Sequence, residues 1–263
     1  MLAPITIRYP VRPVRRSLAT AAVADLFGLA ADEPPLTVAE GVALDVRPGD
    51  LVLFTGPSGS GKSSLLREAG RQLGAVDVAG LALPEVPVID ALPGPVDERL
   101  ATLAACGLSE ARLMLRTPAE LSDGQRYRLR LALAFVGCGV PGIGYDRHPI
   151  PHTRSPFLLC DEFAAVLDRP LAKVVAFNLR RQVSRTGVGA LCATAHDDLA
   201  ADLDPDLWVR CRGDGLVEAE RRAVKKKWSA SRASCGCPTA PDPTGRTSLG
   251  GITAGGGWRT PGG

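Results

Sequence analysis

Apolar and polar residues alternate along the first third of the chain in patterns that predict a strand, a helix and further strands. Residues 5–9 alternate as a strand does, residues 18–29 have helical spacing, and residues 36–46 predict extended structure that ends at a Pro-Gly-Asp turn. The short apolar run at residues 51–55 then leads through a glycine-rich loop into helical spacing at residues 63–73. We therefore expect a buried strand, a loop and a helix in direct succession.

The following segments alternate helices with buried strands. Residues 97–106 and 110–115 predict short helices, and Ser122 is a good N-cap for a helix over residues 125–135. Together these elements predict a small helical subdomain at about residues 95–136. Further strands are predicted at residues 156–160 and 187–194, a helix at residues 170–183, and a hairpin that pairs residues 207–211 with residues 216–219. Such alternation predicts the α/β fold class.

The composition is that of a globular protein with an appended tail. With 263 residues, of which 45% are hydrophobic and 22% charged, the chain can bury a substantial core. Beyond residue 223 the composition shifts to Lys, Ser, Gly, Pro and Thr without apolar spacing. We therefore expect one domain at residues 1–223 and a flexible, low-complexity tail at residues 224–263. A net charge of +3 is too small to favour nucleic acid or an anionic membrane as a partner.

The apolar runs and the cysteines favour a cytoplasmic protein. The nearest approach to a membrane span, residues 131–145, is broken by Gly and Pro. Asp25 interrupts the apolar residues that follow the basic start of the chain, which favours an amphipathic helix over a signal peptide. Seven cysteines, an odd number lying mostly in apolar segments, favour buried thiols in a reducing compartment.

A glycine-rich loop joins the predicted strand at residues 51–55 to the helix that follows. Its sequence is Gly56-Pro57-Ser58-Gly59-Ser60-Gly61-Lys62-Ser63, which matches the phosphate-binding pattern GxxxxGK[ST]. The glycines of such a loop let backbone N–H groups converge on phosphate oxygens. We expect Lys62 to neutralise the β- and γ-phosphates and the Ser63 hydroxyl to bind Mg²⁺. Ser64 continues the helix and is counted with the nucleotide-binding residues. A chance glycine turn is disfavoured by the strand before the loop and the helix after it.

Two carboxylates end the predicted buried strand at residues 156–160. Asp161 is expected to bind Mg²⁺ through water, and Glu162 to polarise the water that attacks the γ-phosphate. Taken alone, an Asp-Glu pair after a strand is more often a solvated turn. The phosphate loop upstream favours the catalytic interpretation, with Lys62 and Glu162 as catalytic residues.

The segment Leu121-Ser122-Asp123-Gly124-Gln125 resembles the LSGGQ signature of ABC ATPases. The resemblance implies a P-loop NTPase sheet with an ABC-type antiparallel β portion and a helical subdomain. It also implies a head-to-tail homodimer, in which Ser122, Gly124 and Gln125 of one subunit close over the ATP held by the other. A plain helix cap at Ser122 is the structural alternative, and it does not conflict with this role.

Two further positions match motifs of this family. Asp168 matches the aspartate of the D-loop, which adds it to the expected nucleotide contacts, and Ala165 stands where the family usually has a serine. His196 matches the switch histidine that contacts the γ-phosphate, and the resemblance therefore implies that it is catalytic. The alternative is that this lone histidine is structural.

Three departures from the family pattern bear on function. No glutamine lies between the phosphate loop and the signature at the place where transporter ATPases have one. Asp90 is the candidate at that place for contact with metal-bound water, and the alternative is that Asp90 is an ordinary turn residue. Only 59 positions separate Lys62 from Leu121, which predicts a reduced helical subdomain and argues against transport. No aromatic residue is suitably placed to stack on adenine, since Tyr9 is far away and Phe27 lies in a predicted helix.

A closer resemblance is to a soluble group of ABC ATPases that is sometimes fused to an acetyltransferase. It rests on residues 121–133, 161–168 and 173–178. No acetyl-CoA-binding segment is apparent after His196, so we expect that partner to be separate or lost. The resemblance favours a soluble protein over a transporter subunit.

Together the motifs predict an ATPase that binds and hydrolyses Mg·ATP at the composite sites of a homodimer and drives a conformational change in a partner. A soluble protein or a nucleic acid is the favoured partner, and a membrane partner is less favoured. The alternatives are the ATP-binding subunit of an ABC transporter and an ATP-gated binding switch with negligible hydrolysis. The intact pair of Asp161 and Glu162 disfavours the switch.

Overall fold

The computed structural model describes residues 2–10, 17–28, 35–138, 157–213 and 215–222. All of these residues fall within one structural unit, Met1–Ala223. The expected tail at residues 224–263 lies outside the described residues, so the boundary between domain and tail stays a prediction.

A six-stranded sheet forms the centre of the fold. Its strands are β3 (Leu51–Thr55), β4 (Val76–Asp77), β5 (Phe157–Cys160), β6 (Gly189–Ala193), β7 (Leu207–Cys211) and β8 (Val217–Arg221). They lie in the order β4-β5-β6-β3-β7-β8, and all neighbours are parallel except β7 and β8. The predicted α/β class is confirmed, and the predicted hairpin is the antiparallel pair β7–β8.

A second, antiparallel sheet consists of β1 (Ile5–Tyr9) and β2 (Leu36–Val42), and α1 (Leu18–Phe27) lies in the connection between them. Ser17 caps the start of α1, and Gly28 ends it in the left-handed region, with φ of 61°. No residue of α1 is buried, and its large apolar side chains Leu18, Leu26 and Phe27 are exposed. The predicted helix is therefore present, but its apolar side is not covered by the described residues.

Helices flank the central sheet. They are α2 (Lys62–Leu73), α3 (Val96–Ala105), α4 (Ala111–Met114), α5 (Asp123–Gly137), α6 (Arg169–Thr186) and α7 (Ala200–Leu203). The predicted helical region at about residues 95–136 contains α3, α4 and α5. Asp97 and Glu98 in the first turn of α3 suit the positive end of a helix, and Gly74 and Gly187 end α2 and α6 in the left-handed region.

Alternate residues of the central strands face opposite sides of the sheet. In β3, Leu51 and Leu53 pack with the core that α5 and α6 share, whereas Val52 and Phe54 pack against α2. All four side chains are fully buried, and burial of each contributes about 1.5–3 kcal/mol. Because β3, β5 and β6 are parallel, the loops that follow their carboxyl ends leave from one edge of the sheet.

The cysteines and the helices bear on the predicted cytoplasmic location. The five described cysteines are free and buried, as predicted: Cys106, Cys138, Cys160, Cys192 and Cys211. In the described ranges, no helix combines the length and the apolar character that crossing a bilayer requires. The cytoplasmic location itself stays a prediction.

Candidate functional site

The glycine-rich loop lies between β3 and α2, at the carboxyl edge of the sheet. Gly56 and Gly61 have φ of 144° and 86°, conformations that residues with a side chain rarely adopt. A Cβ on Gly56 would lie 2.1 Å from the carbonyl oxygen of Cys211, and one on Gly61 would lie 1.9 Å from Cγ1 of Val38. Glycine is therefore required at both positions because neighbouring chain segments press against the loop.

The polar side chains of the loop have few partners of their own. Lys62 donates from Nζ to the carbonyl oxygens of Gly56 and Pro57, at 2.7 and 2.6 Å. The Ser60 hydroxyl is buried and has no hydrogen-bond partner in the part of the chain that the structure describes. A buried hydroxyl without a partner costs about 1–3 kcal/mol, and an oxygen-rich ligand would satisfy it. Ser60 and Lys62 therefore fit a phosphate-binding loop.

Asp161 connects the end of β5 to α2. One of its carboxylate oxygens, Oδ1, accepts from the Ser63 hydroxyl at 2.8 Å, and the other accepts from Nη2 of Arg67 at 2.9 Å. Oδ1 also accepts from the backbone N–H of Glu162 at 3.1 Å. The structure thus brings together Ser63 and Asp161, the two oxygen donors expected to serve Mg²⁺.

Sequence reasoning missed Arg67. It lies one helical turn after Ser63, and this spacing places both side chains on the same face of α2. The spacing was available from the sequence, but the proximity of that face to Asp161 follows from the sheet order. The guanidinium is the cationic partner of Asp161 in this structure.

Glu162 lies in a tight turn that follows β5. Its φ is 49°, and that of Ala164 is 59°, so two residues with side chains occupy the left-handed region. The turn is held by backbone hydrogen bonds from Phe163 N–H to the Ala193 carbonyl, at 2.7 Å, and from Ala165 N–H to the Glu162 carbonyl, at 3.0 Å. Strained backbone of this kind costs about 1–3 kcal/mol per residue and often accompanies function. The Glu162 side chain is exposed and lines the cleft described next.

A cleft of about 320 Å³ lies over the loop. It is lined by Tyr9, Leu36, Val38, Ser58, Gly59, Gly61, Lys62, Ser63, Ser64, Asp161, Glu162, Ala193, Thr194 and Ala195. The cleft therefore gathers the phosphate-loop residues and both carboxylates from segments that are far apart in the sequence.

The expectation that Tyr9 lies far from the phosphate loop is wrong. Tyr9 ends β1 opposite Leu36 of β2, and its hydroxyl lies 2.6 Å from Oγ of Ser64 in α2. An aromatic ring with a polar end thus lies at the cleft. Tyr9 is distant in sequence, but the pairing of β1 with β2 places it beside the loop. An apolar-polar pattern does not show which helix a distant strand will contact.

The signature segment forms the start of α5. The Ser122 hydroxyl accepts from Gln125 N–H at 3.3 Å, and the Gln125 side-chain oxygen accepts from Ser122 N–H at 2.9 Å, which is a capping box. A Cβ on Gly124 would lie 3.1 Å from Leu167 and 3.2 Å from the Val166 carbonyl. The described lining of the cleft includes no residue of α5. The helix-cap interpretation of Ser122 is therefore observed, and its nucleotide role stays a prediction.

Asp168 and His196 occupy helix starts near the same edge of the sheet. Asp168 caps α6, and its Oδ1 accepts from Leu171 N–H at 2.9 Å. His196 is exposed, and its backbone N–H donates to the Thr194 hydroxyl at 3.2 Å. Thr194 lines the cleft, but the described lining does not include His196 itself. The roles expected of Asp168 and His196 stay predictions.

Asp90 lies in the short 3-10 helix Val88–Ala91. Its carboxylate pairs with Arg99 at 3.3 Å, and the described residues that line the cleft do not include it. The structure brings Ser63 and Asp161 together but does not bring Asp90 to them, and its contact with metal-bound water stays a prediction.

Comparisons with known proteins identify relatives that are named as ATP-binding proteins. No protein-family model matches the chain. The lipoprotein-releasing system ATP-binding protein LolD of Maricaulis maris (strain MCS10) is 30% identical over 210 residues, which cover 64% of this chain and 84% of the relative. The phosphonates import ATP-binding protein PhnC of Hyphomonas neptunium is 27% identical over 216 residues, covering 65% and 76% of the two chains.

The fold is similar to that of solved ATP-binding cassettes. The dimeric, post-hydrolysis structure of the cassette MJ0796 bound to ADP and Pi covers 84% of this chain and 98% of its own, with a TM-score of 0.54 at 18% identity. A fold with this sheet and loop defines a P-loop nucleotide-hydrolysing protein. The chain belongs to the ABC ATPase family, the ATP-binding cassettes, and it is an ATPase. A relationship to the acetyltransferase-linked group stays a prediction.

Proposed function

We propose that this chain is the ATP-hydrolysing subunit of an ABC transporter-type complex and couples hydrolysis to conformational change in a membrane partner. The relatives named for lipoprotein release and for phosphonate import support this alternative over the soluble ATPase favoured by the sequence. The observation that carries the ATPase site is the 2.8 Å contact between Ser63 and Asp161, which line the same cleft as Glu162. The short helical subdomain remains the argument for a soluble partner.

The loop fits the triphosphate of ATP. Its glycines allow the left-handed backbone turns of the loop, and the Ser60 hydroxyl still needs a partner. Lys62 would exchange the carbonyl oxygens of Gly56 and Pro57 for phosphate oxygens, which carry more charge. The start of α2 contributes its positive end. Tyr9 lines the same cleft and would offer a ring on which a base could stack.

Ser63 and Asp161 fit a magnesium ion. Mg²⁺ prefers oxygen ligands, and a hydroxyl and a carboxylate already converge here. When bound, the ion would supply positive charge next to the phosphates. Asp161 would then leave Arg67 for the ion or for its water ligands. Arg67 is largely exposed and can return to solvent at little cost, since surface ion pairs contribute about 0–1 kcal/mol.

Hydrolysis is assigned to Glu162. Its carboxylate would hold the attacking water by a hydrogen bond and take up its proton as the water oxygen bonds to the γ-phosphorus. The bond from that phosphorus to the β,γ-bridging oxygen would break in the same displacement, and the bridging oxygen would leave with ADP. Lys62 would stabilise the charge on the transferred phosphoryl group. His196 directly follows two residues that line the cleft, Thr194 and Ala195, which supports a role for it at the γ-phosphate.

A second copy of the chain would complete the site. Ser122, Gly124, Gln125 and Asp168 lie outside the described lining of their own cleft, and the structural relative bound to ADP and Pi is dimeric. In a head-to-tail dimer, the positive start of α5 would meet the phosphates held by the other copy. Bound ATP would thus stabilise the dimer of two copies.

The test is steady-state ATP hydrolysis across a protein concentration series, with size-exclusion chromatography in ATP. We expect turnover per chain to rise with protein concentration. Glu162→Gln should abolish turnover and retain an ATP-dependent dimer, whereas Glu98→Gln, an exposed carboxylate on α3, should behave as wild type. Full turnover by Glu162→Gln would remove Glu162 from the mechanism, and a wild-type chain that binds ATP without turnover would favour the ATP-gated switch.

The membrane partner needs a separate experiment. The full chain, tagged and expressed in its own cells, should co-purify from detergent-solubilised membranes with a defined integral membrane protein that stimulates its ATPase rate. Recovery of the active chain from the soluble fraction alone, with no such protein, would restore the soluble hypothesis.

A further inference from the structure

Tyr127 joins the signature helix to the turn that carries Glu162. It lies in the second turn of α5, and its hydroxyl accepts a hydrogen bond from the backbone N–H of Ala164 at 3.4 Å. Its ring meets that of Phe163 edge to face, with centroids 6.5 Å apart and planes at 70°. One side chain therefore contacts both residues that follow Glu162.

The turn needs support because its backbone is strained. Glu162 and Ala164 both occupy the left-handed region, where residues with a side chain are disfavoured. Ala164 is only 3% exposed, so water cannot readily replace a lost acceptor for its N–H group. The Tyr127 hydroxyl meets this need with a single hydrogen bond.

The surroundings of Tyr127 keep the phenol neutral. Burial raises the pKa of Tyr127 well above its ordinary value, and the neighbouring thiols of Cys160 and Cys192 raise it further. The neutral phenol oxygen accepts from the N–H of Ala164 without placing a charge in the core. Tyr127 packs against the core cluster that contains Cys160, the residue before Asp161.

A second contact links α5 to the same segment. Gly124 lies so close to Leu167 and to the Val166 carbonyl that a Cβ there would be 3.1–3.2 Å from them. The segment after β5 is thus held against α5 at two points, through Tyr127 near Glu162 and through Gly124 further on. Of these two contacts, the one through Tyr127 reaches a strained residue, Ala164.

We propose that Tyr127 is a positioning residue for ATP hydrolysis: it fixes the turn at Glu162 to Ala164 and thereby orients the Glu162 carboxylate towards the cleft. The proposal rests on the proposed function for the role of Glu162. It assigns Tyr127 no contact with nucleotide, so its loss should alter the chemical step and leave ATP binding intact.

The first variant is Tyr127→Phe, which keeps the ring against Phe163 and removes the hydroxyl alone. We expect kcat to fall about ten-fold with KM for ATP unchanged, because a misdirected general base slows only the chemical step. In hydrogen–deuterium exchange without nucleotide, peptides that contain residues 162–167 should exchange faster than in wild type. Tyr127→Leu, which also removes the ring, should lower kcat further.

The matched control is Arg180→Gln. It breaks a half-buried ion pair with Asp206 at the amino end of β3, far from the cleft along the strand, and should lower the melting temperature without changing kcat or exchange at residues 162–167. A Tyr127→Phe variant with wild-type kcat overturns the positioning role, even if exchange rises. An equal kcat loss in Arg180→Gln would also overturn it, because general destabilisation would then suffice.

Failure of the proposed function has a different signature. If the wild-type chain binds ATP but does not hydrolyse it, the assignment of Glu162 fails in both kinetic experiments. The exchange measurement needs neither nucleotide nor turnover, so unchanged exchange in Tyr127→Phe would overturn the proposed support of the turn independently.

Discussion

The Ser63 hydroxyl donates a 2.8 Å hydrogen bond to the Asp161 carboxylate, although 98 positions separate the two residues in the chain. Ser63 lies in the first turn of α2, the helix after β3, and Asp161 follows β5. In the sheet, β6 lies between β3 and β5. The contact joins two motifs that the sequence identifies separately, and it places a hydroxyl and a carboxylate where a hard cation can take both.

Asp161→Asn should therefore raise the Mg²⁺ concentration needed for half-maximal hydrolysis by at least about ten-fold, because a charged ligand becomes neutral. The measurement is ATPase rate against Mg²⁺ at fixed ATP. Glu68→Gln is the control: it removes a carboxylate from the same helix α2, where Glu68 pairs with Arg71 outside the described lining of the cleft. Equal Mg²⁺ curves for Asp161→Asn and wild type would contradict the metal role.

Lys62→Met should weaken ATP binding by about 100-fold or more. The ammonium group has two charge-assisted hydrogen bonds to exchange for phosphate oxygens, each worth about 1.5–3 kcal/mol. Titration of a fluorescent ATP analogue measures the loss. Arg71→Met removes a cation from the far end of the same helix and should leave affinity within about two-fold, since exposed charges contribute little. Similar affinity losses in both variants would indicate a general effect of charge.

Gly61→Ala should lower both the free energy of unfolding and ATP affinity, because the added methyl meets Val38 at 1.9 Å. We expect a loss of about 2–4 kcal/mol in unfolding free energy, from backbone strain together with overpacking. Gly74→Ala at the other end of α2 has the same left-handed backbone and open space, so it should cost about 1–2 kcal/mol.

A double variant distinguishes the clash with Val38 from the backbone strain at Gly61. Gly61→Ala combined with Val38→Ala should recover part of the loss seen for Gly61→Ala, whereas Val38→Ala should not improve Gly74→Ala. Urea denaturation provides the free energies. If the double variant recovers no unfolding free energy, the loss in Gly61→Ala comes from backbone strain in the loop alone.

Asp206→Asn should destabilise the fold at neutral pH but much less in acid. Burial alone would raise the pKa of Asp206, but hydrogen bonds from Arg180 and from Leu51 N–H hold it below the ordinary value of 3.8. A carboxyl with a lowered folded pKa stabilises the fold above pH of about 4, and this contribution is lost as the pH falls through the folded value.

The expected difference between wild type and Asp206→Asn is about 1–3 kcal/mol at pH 7, because the group is half-buried and partly screened. Denaturation of both proteins from pH 7 down to about pH 2 measures it, since the loss lies below the ordinary pKa of 3.8. A constant difference across this range would mean that the charge of Asp206 contributes nothing and that its hydrogen bonds act as neutral ones.

Much of the fold follows from local patterns. The run at residues 51–55 forms β3, the apolar residues before Asp161 form β5, and the helical spacing after Gly61 becomes α2. In these segments the local preference and the tertiary burial agree, since alternate side chains enter cores on both sides of the sheet. The start of α5 also agrees, because Ser122 is a good cap.

The candidate site was predictable as a set of motifs but not as a set of contacts. Nothing local indicates that Tyr9 reaches Ser64 or that Val38 presses on Gly61, since both depend on how the β1–β2 sheet meets the central fold. Tyr127 was also missed, because an aromatic residue at a helical position usually means core packing. Its contact with Ala164 becomes visible only when α5 and the turn after β5 are placed together.

The position of β3 between β6 and β7 also governs when the phosphate loop can acquire its shape. Gly56 follows the third strand of the chain, yet its close neighbour is the carbonyl of Cys211 at the end of β7. During synthesis the loop therefore emerges long before the strands on either side of it exist. ATP cannot brace the nascent chain at an early stage, and the growing domain must reach Cys211 before its nucleotide site is assembled.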